Sequence, residues 1–122
     1  MMEKKFDLEE RLIEFAAQII RFTESMISSK SGNHLANQLL RSGTSPALNY
    51  GEAQGGESRK DFIHKFKVIL KELRETLIGI KIVERASLHQ DHGFLNQVKD
   101  ECNQLISIFV KSVLTAERNR FE

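Results

Sequence analysis

The sequence contains no tryptophan, one tyrosine, one proline and one cysteine in 122 residues. A lone cysteine cannot close an internal disulfide, so cross-links are excluded as the source of stability, and a single thiol fits a reducing cytoplasm. No apolar run approaches the ~20 residues that span a bilayer. The N-terminal stretch MMEKKFDLEERL lacks the apolar segment of a secretory signal. The expectation is a cytoplasmic protein with no membrane contact. Charge of one sign is also missing: 18 Lys and Arg stand against 17 Asp and Glu, a net charge of +1. Attraction to nucleic acid would therefore have to come from local placement of cations, not from the field of the whole chain.

What is present is amphipathic helix. Hydrophobic residues make up 40% and charged residues 29%, the balance of a soluble globular chain, and the length suits one domain over residues 1–122. Four helical patterns and no strand pattern are legible, at about 8–28, 34–54, 58–86 and 94–117. In the first, Asp7 and Glu10 form a capping-box-like start, and Leu12, Phe15, Ile19, Phe22 and Met26 repeat at three- and four-residue steps. Phe6, Ile13, Ile20 and Ile27 make a second row at seven-residue spacing. SSKSGN reads as a turn, with Asn33 capping a second helix from His34 that carries Leu35, Leu39 and Leu40.

The third pattern opens on the capping pair Ser58 and Asp61, and its core row is Phe62, Phe66, Ile69, Leu73, Leu77 and Ile80. The fourth has a seam of Val98, Cys102, Leu105, Phe109 and Ala116 and an outer row of Ile106, Val110 and Val113. The fold expected is an all-α, up-down four-helix bundle. Doubled apolar rows on the first and last helices point to a homo-oligomer.

The stretch from Arg41 to Lys65 holds the only proline and four of the seven glycines. GEAQGGES superficially follows a phosphate-binding loop, with Gly51, Gly56 and Ser58 in register. Glu57 occupies the place of the lysine that would neutralise phosphate, and no strand precedes it. A nucleotide loop is rejected; a turn leading into a capped helix replaces it. Pro46 lies inside helical sequence, where it removes an N–H and crowds the carbonyl of Ser42. Gly43, Thr44 and Ser45 can absorb a bend, their hydroxyls satisfying freed backbone groups, so a Pro-kinked second helix is expected.

These residues carry a family resemblance. Arg41-Ser42-Gly43-Thr44-Ser45-Pro46, Asn49-Tyr50, Glu52-Ala53, Glu57-Ser58-Arg59, Asp61-Phe62-Ile63-His64-Lys65 and Glu75-Thr76 stand in one ordered series. The series resembles the centre of the four-helix-bundle proteins associated with intervening sequences in bacterial large-subunit ribosomal RNA genes. The resemblance implies a left-handed up-down bundle assembled as a homopentameric ring, and it implies no enzyme. The accessory variability proteins of diversity-generating retroelements have a similar barrel and bind nucleic acid and a reverse transcriptase, which by analogy raises nucleic-acid binding here. Two positions depart from the pattern. Leu77 and Ile78 stand where relatives often have an aromatic pair, and Gly51 where many have Arg or a small residue.

Lys60, Lys67, Lys71, Arg74, Lys81 and Arg85 project onto an arc of roughly 80° on the third helix. The core row lies about 110° from it. The stripe is roughly 38 Å long at 1.5 Å per residue. It suits sequence-tolerant contact with RNA or DNA backbone. Against that stands a solvated face whose cations pair with acids of a neighbouring helix or subunit. Stacking aromatics do not interleave the stripe, which argues against single-strand readout of sequence.

Other chemistry is thin. His89 and His92 sit in a turn with only Asp91 nearby, read as solvated and not as a metal site. Glu52 and Glu75 are read as structural contacts to Arg41 or Asn49 between the second and third helices, not as an acid–base pair. Cys102 reads as a small buried hydrophobe. Pro46, Asn49, Glu52, Ser58 and Glu75 are taken as structural, with no catalytic, cofactor or metal residue. The leading expectation is a non-enzymatic oligomeric accessory protein with backbone contact to RNA or DNA. The alternative is a scaffold whose outer rows bind another protein.

Overall fold

Asp7, in extended conformation, accepts the backbone N–H of Glu10 through its side chain at 3.1 Å and starts α1, Leu8–Glu24. The computed structural model describes residues 7–55 and 58–119. Among them are three further helices, α2 (Lys30–Ala53), α3 (Arg59–Arg85) and α4 (His92–Asn119), and no strand. Each helix packs against its neighbours in sequence, and α1 also meets α4, which closes an all-α four-helix bundle.

The α1 seam is in place: Leu12, Phe15, Ile19, Phe22 and Met26 are all buried, as is the α4 seam from Val98 to Ala116. Each fully buried aliphatic or aromatic side chain contributes about 1.5–3 kcal/mol, so these rows are the main source of cohesion. The α3 row differs in detail. Phe66, Ile69, Leu73 and Ile80 are buried, but Phe62 and Leu77 are half-buried, and Ile63, Thr76 and Val83 enter the core. Val113, expected on the outer row of α4, is buried with the seam. Ile13, Ile20 and Ile27 are exposed; Phe6, the fourth member of that row, lies outside the described residues.

Several boundaries shift. α1 ends at Glu24, with Ser25 as its C-cap. α2 begins at Lys30, not His34, because Ser29 rather than Asn33 is the cap and accepts the N–H of Gly32 at 3.0 Å. α4 begins at His92. α2 runs through Pro46 without interruption. Thr44 Oγ1 donates to the Leu40 carbonyl at 2.5 Å and Ser45 Oγ to the Arg41 carbonyl at 2.7 Å. Both hydroxyls back-bond one turn earlier, and neither takes the Ser42 carbonyl that the proline leaves without its usual donor. Gly51, the first glycine of the loop-like GEAQGGES, is helical; Gly56 and Glu57 lie outside the described residues.

Two close approaches fix helix spacing. A Cβ on Gly43 would lie 2.8 Å from two carbons of Ile19, so α1 and α2 touch there through hydrogen. A Cβ on Gly79 would lie 2.8 Å from Leu39 Cδ2, the corresponding contact of α3 on α2. One end of the bundle holds the aromatic cluster Tyr50, Phe62, Phe66 and Phe109. Elsewhere Phe22, His89 and Phe94 form a second cluster beside the hydrogen bond from Ile27 N–H to the Leu88 carbonyl.

Candidate functional site

α3 positions the cations. Ser58 caps it by accepting the N–H of Asp61 at 3.2 Å while its own hydroxyl donates to the Asp61 carboxylate at 3.0 Å. From that start the helix holds Lys60, Lys67, Lys71, Arg74, Lys81 and Arg85 on its outer face, and all six are exposed. Lys67 Nζ pairs with Glu117 of α4 at 2.7 Å. Among the described residues none of the other five has a carboxylate within 4.0 Å.

The motif residues join α2 to α3 at successive levels. Lys65 pairs with Glu52. Asn49 Nδ2 donates to Glu72 Oε1 at 3.1 Å. The hydroxyls of Ser42 and Thr76, both buried, lie 2.8 Å apart, and Thr76 also reaches the Glu72 carbonyl at 2.9 Å. Arg41 lies 3.9 Å from Glu75. Arg41 thus meets Glu75 as expected, while Asn49 takes Glu72 and Glu52 takes Lys65. Glu52 on α2 is held by Lys65 of α3 and Glu75 on α3 by Arg41 of α2, so the two carboxylates belong to separate ion pairs at different levels of the α2–α3 contact. Partial burial pushes the Glu72 carboxyl above the usual carboxylate range, and the Asn49 hydrogen bond pulls it back.

A groove of about 810 Å³ opens between α2 and α3 beside the stripe. Leu35 comes from α2 and Leu70, Ile78, Gly79 and Ile82 from α3, with Arg41, Lys71 and Arg74 among the lining cations. Ile78 and Ile82 are exposed in it. Sequence reasoning missed this groove. The available signal was that Ile78 projects into the middle of the cationic arc.

His89 is not in a solvated turn. It is 3% exposed, stacks on Phe22 and accepts the Asp91 N–H at Nδ1, 3.1 Å away. His92 is the first residue of α4. Among the described residues no three His, Cys, Asp or Glu side chains come together as a metal site would require. Cys102 is buried and its thiol contacts the Leu73 carbonyl at 3.3 Å; burial pushes its pKa up to about 12, which keeps it a neutral, inert thiol. No helix of the described residues is long and apolar enough to cross a membrane.

Comparison with known proteins agrees with this architecture. The model of the family described as 23S rRNA-intervening sequence protein matches residues 4–111. A crystal structure from Bacteroides thetaiotaomicron, a protein of unknown function from the S23 ribosomal protein family, superposes with a TM-score of 0.80 at 24% identity. The match covers 88% of this chain and 98% of that one. No functionally curated protein matches.

Proposed function

The chain belongs to the 23S rRNA-intervening sequence protein family, and from that premise we propose that it is a non-enzymatic accessory protein of the cytoplasm. It self-associates, five copies being the number implied by resemblance, and holds RNA or DNA by the phosphate backbone along α3. The observation that carries this reading is the state of the stripe. Pairing with acids inside the chain would have explained its cations away, and that accounts for Lys67 alone among the described residues. Lys60, Lys71, Arg74, Lys81 and Arg85 are left facing solvent.

Lys60 to Arg85 spans roughly 38 Å at 1.5 Å per residue, about one turn of duplex. Phosphate contacts of this kind position a nucleic acid without reading its bases, and binding falls steeply with salt as counterions are released. Repetition of the stripe around an oligomer multiplies the effect. The scaffold alternative draws on the exposed Ile13, Ile20, Leu48 and Leu114.

The test is a mobility-shift series with RNA and DNA oligonucleotides against salt, using wild type and a Lys60→Glu, Lys81→Glu, Arg85→Glu variant. These three cations do not line the groove. Wild type binds at low ionic strength with a linear fall of log K against log salt, and the variant loses retention. Absence of binding at low salt, or binding untouched by the triple reversal, overturns the reading.

A further inference from the structure

We propose that α1 of one copy seats in the α2–α3 groove of the next, head to tail. The proposal rests on the self-association reading and assigns its two surfaces.

The first surface is the outer ridge of α1. Ile13 and Ile20 are exposed there. The ridge is acidic. The two cations of α1 are neutralised within the chain, Arg11 by Glu101 at 2.8 Å and Arg21 by Glu14 at 3.2 Å. Glu9, Glu10 and Glu24 are exposed and have no cation within 4.0 Å among the described residues. Projected at about 100° per residue, Glu9 and Glu24 fall beside the isoleucines on the same face, with Glu10 at its edge.

The second surface is the groove. Its exposed apolar residues are Ile78 and Ile82, and its lining carries Arg41, Lys67, Lys71 and Arg74 against the single acid Glu75; Arg41 already faces Glu75 and Lys67 faces Glu117, which leaves Lys71 and Arg74. Gly79, with no side chain, is part of the lining between Leu39 and the isoleucines. An acidic apolar ridge and a basic apolar groove are complementary in both terms. They also match in length. Glu9 to Glu24 and Lys67 to Ile82 each cover about 22 Å at 1.5 Å per residue.

The sign of the charges decides which surfaces meet. A two-fold pairing of groove with groove opposes cation to cation, and ridge with ridge opposes acid to acid. Only the unlike pairing is attractive; when the ridge and the groove of one copy engage two different neighbours, the contact is heterologous and propagates into a ring or a filament. Of the six stripe cations Lys71 projects nearest to the α2 side. Lys60, Lys81 and Arg85 stay clear of the groove for phosphate.

The test uses two exposed positions, where substitution leaves the core intact: Ile20→Glu, at 41% exposure, disables the ridge, and Ile78→Glu, at 55%, disables the groove. Light scattering after size exclusion reads mass, and thermal melts by circular dichroism confirm folding. Wild type should be a multiple of 14.0 kDa, and each variant alone a monomer. Mixed in equal amounts they should form a 1:1 dimer and nothing larger, because the mixture holds one intact ridge that meets one intact groove. A monomeric wild type overturns both this proposal and the self-association reading. A wild-type oligomer that survives either substitution, or monomeric variants whose mixture stays monomeric, overturns the proposal and leaves self-association standing. Loss of nucleic-acid retention in Ile78→Glu with the oligomer intact assigns the groove to nucleic acid and also overturns it.

Discussion

His89 lies face to face on Phe22, ring centroids 4.4 Å apart and planes 9° from parallel, with Phe94 tilted against both. The imidazole is used here as a flat, neutral ring. Burial holds its pKa below the ordinary histidine range, against the smaller opposing pull of Asp91. Because the folded value is depressed, the unfolded chain binds the proton first as pH falls. The stability contributed is present above the unfolded pKa, about 6.5, and is lost as pH drops through the folded one.

Thermal melting should therefore fall between about pH 7 and pH 5 by more in wild type than in a His89→Phe variant, which keeps the stack and removes the titration. Melts recorded across that range in both proteins check this. Parallel pH curves would show that His89 does not contribute.

The Ser42–Thr76 hydroxyl pair couples α2 to α3 inside the core. Thr76→Val leaves Ser42 short of a partner and should cost about 1–3 kcal/mol. The double variant Ser42→Ala, Thr76→Val should cost less than the sum of the single changes, since neither hydroxyl is then orphaned. Urea unfolding of the four proteins gives the coupling directly.

The uneven legibility of the sequence has physical causes. The α1 and α4 seams were readable because a three–four repeat of large apolar residues has one burial solution. Thr76 was not, because a local pattern prefers Leu77 for the core and cannot see a hydroxyl partner 34 residues away. SLHQDHG has turn composition, so His89 read as solvated; its burial depends on Phe22 of α1, far away in sequence. Ser29 was passed over as a cap because Ser31 and Gly32 made the first turn of α2 look like loop. The stripe needed only the helical angle and was legible. The groove needed α2 in place and was not.

Gly43, Gly51 and Gly79, three of the helical glycines, should respond differently to alanine. At Gly51 a Cβ meets nothing within 4 Å, so Gly51→Ala should stabilise by roughly 0.5–1 kcal/mol through propensity. At Gly79 the same gain is set against contact with Leu39 Cδ2, the far end of a buried side chain that is not β-branched, and the net should fall between the other two. At Gly43 the new methyl meets both γ carbons of Ile19, which is β-branched and fully buried. Overpacking of that kind costs about 1–3 kcal/mol, so Gly43→Ala should destabilise. Chemical denaturation of the three variants should rank them in that order.

α1 meets α4 at a polar clasp. Arg11 Nε and Nη2 donate to the two oxygens of Glu101 at 2.8 and 2.9 Å, and Nη2 also donates to Gln104 Oε1 at 2.8 Å. Both charged side chains are about three-quarters covered, so the pair is screened less than a surface bridge. A planar fork makes all three bonds at once; an ammonium group cannot reproduce the bidentate geometry. Arg11→Lys should therefore destabilise by roughly 1 kcal/mol despite keeping the charge, and Arg11→Met should cost more, because Glu101 is then left half-buried without a cation. Arg21→Lys is the control: its bridge to Glu14 is exposed on both sides, and such pairs contribute about 0–1 kcal/mol. If the two lysine variants melt alike, the clasp is not what fastens α1 to α4.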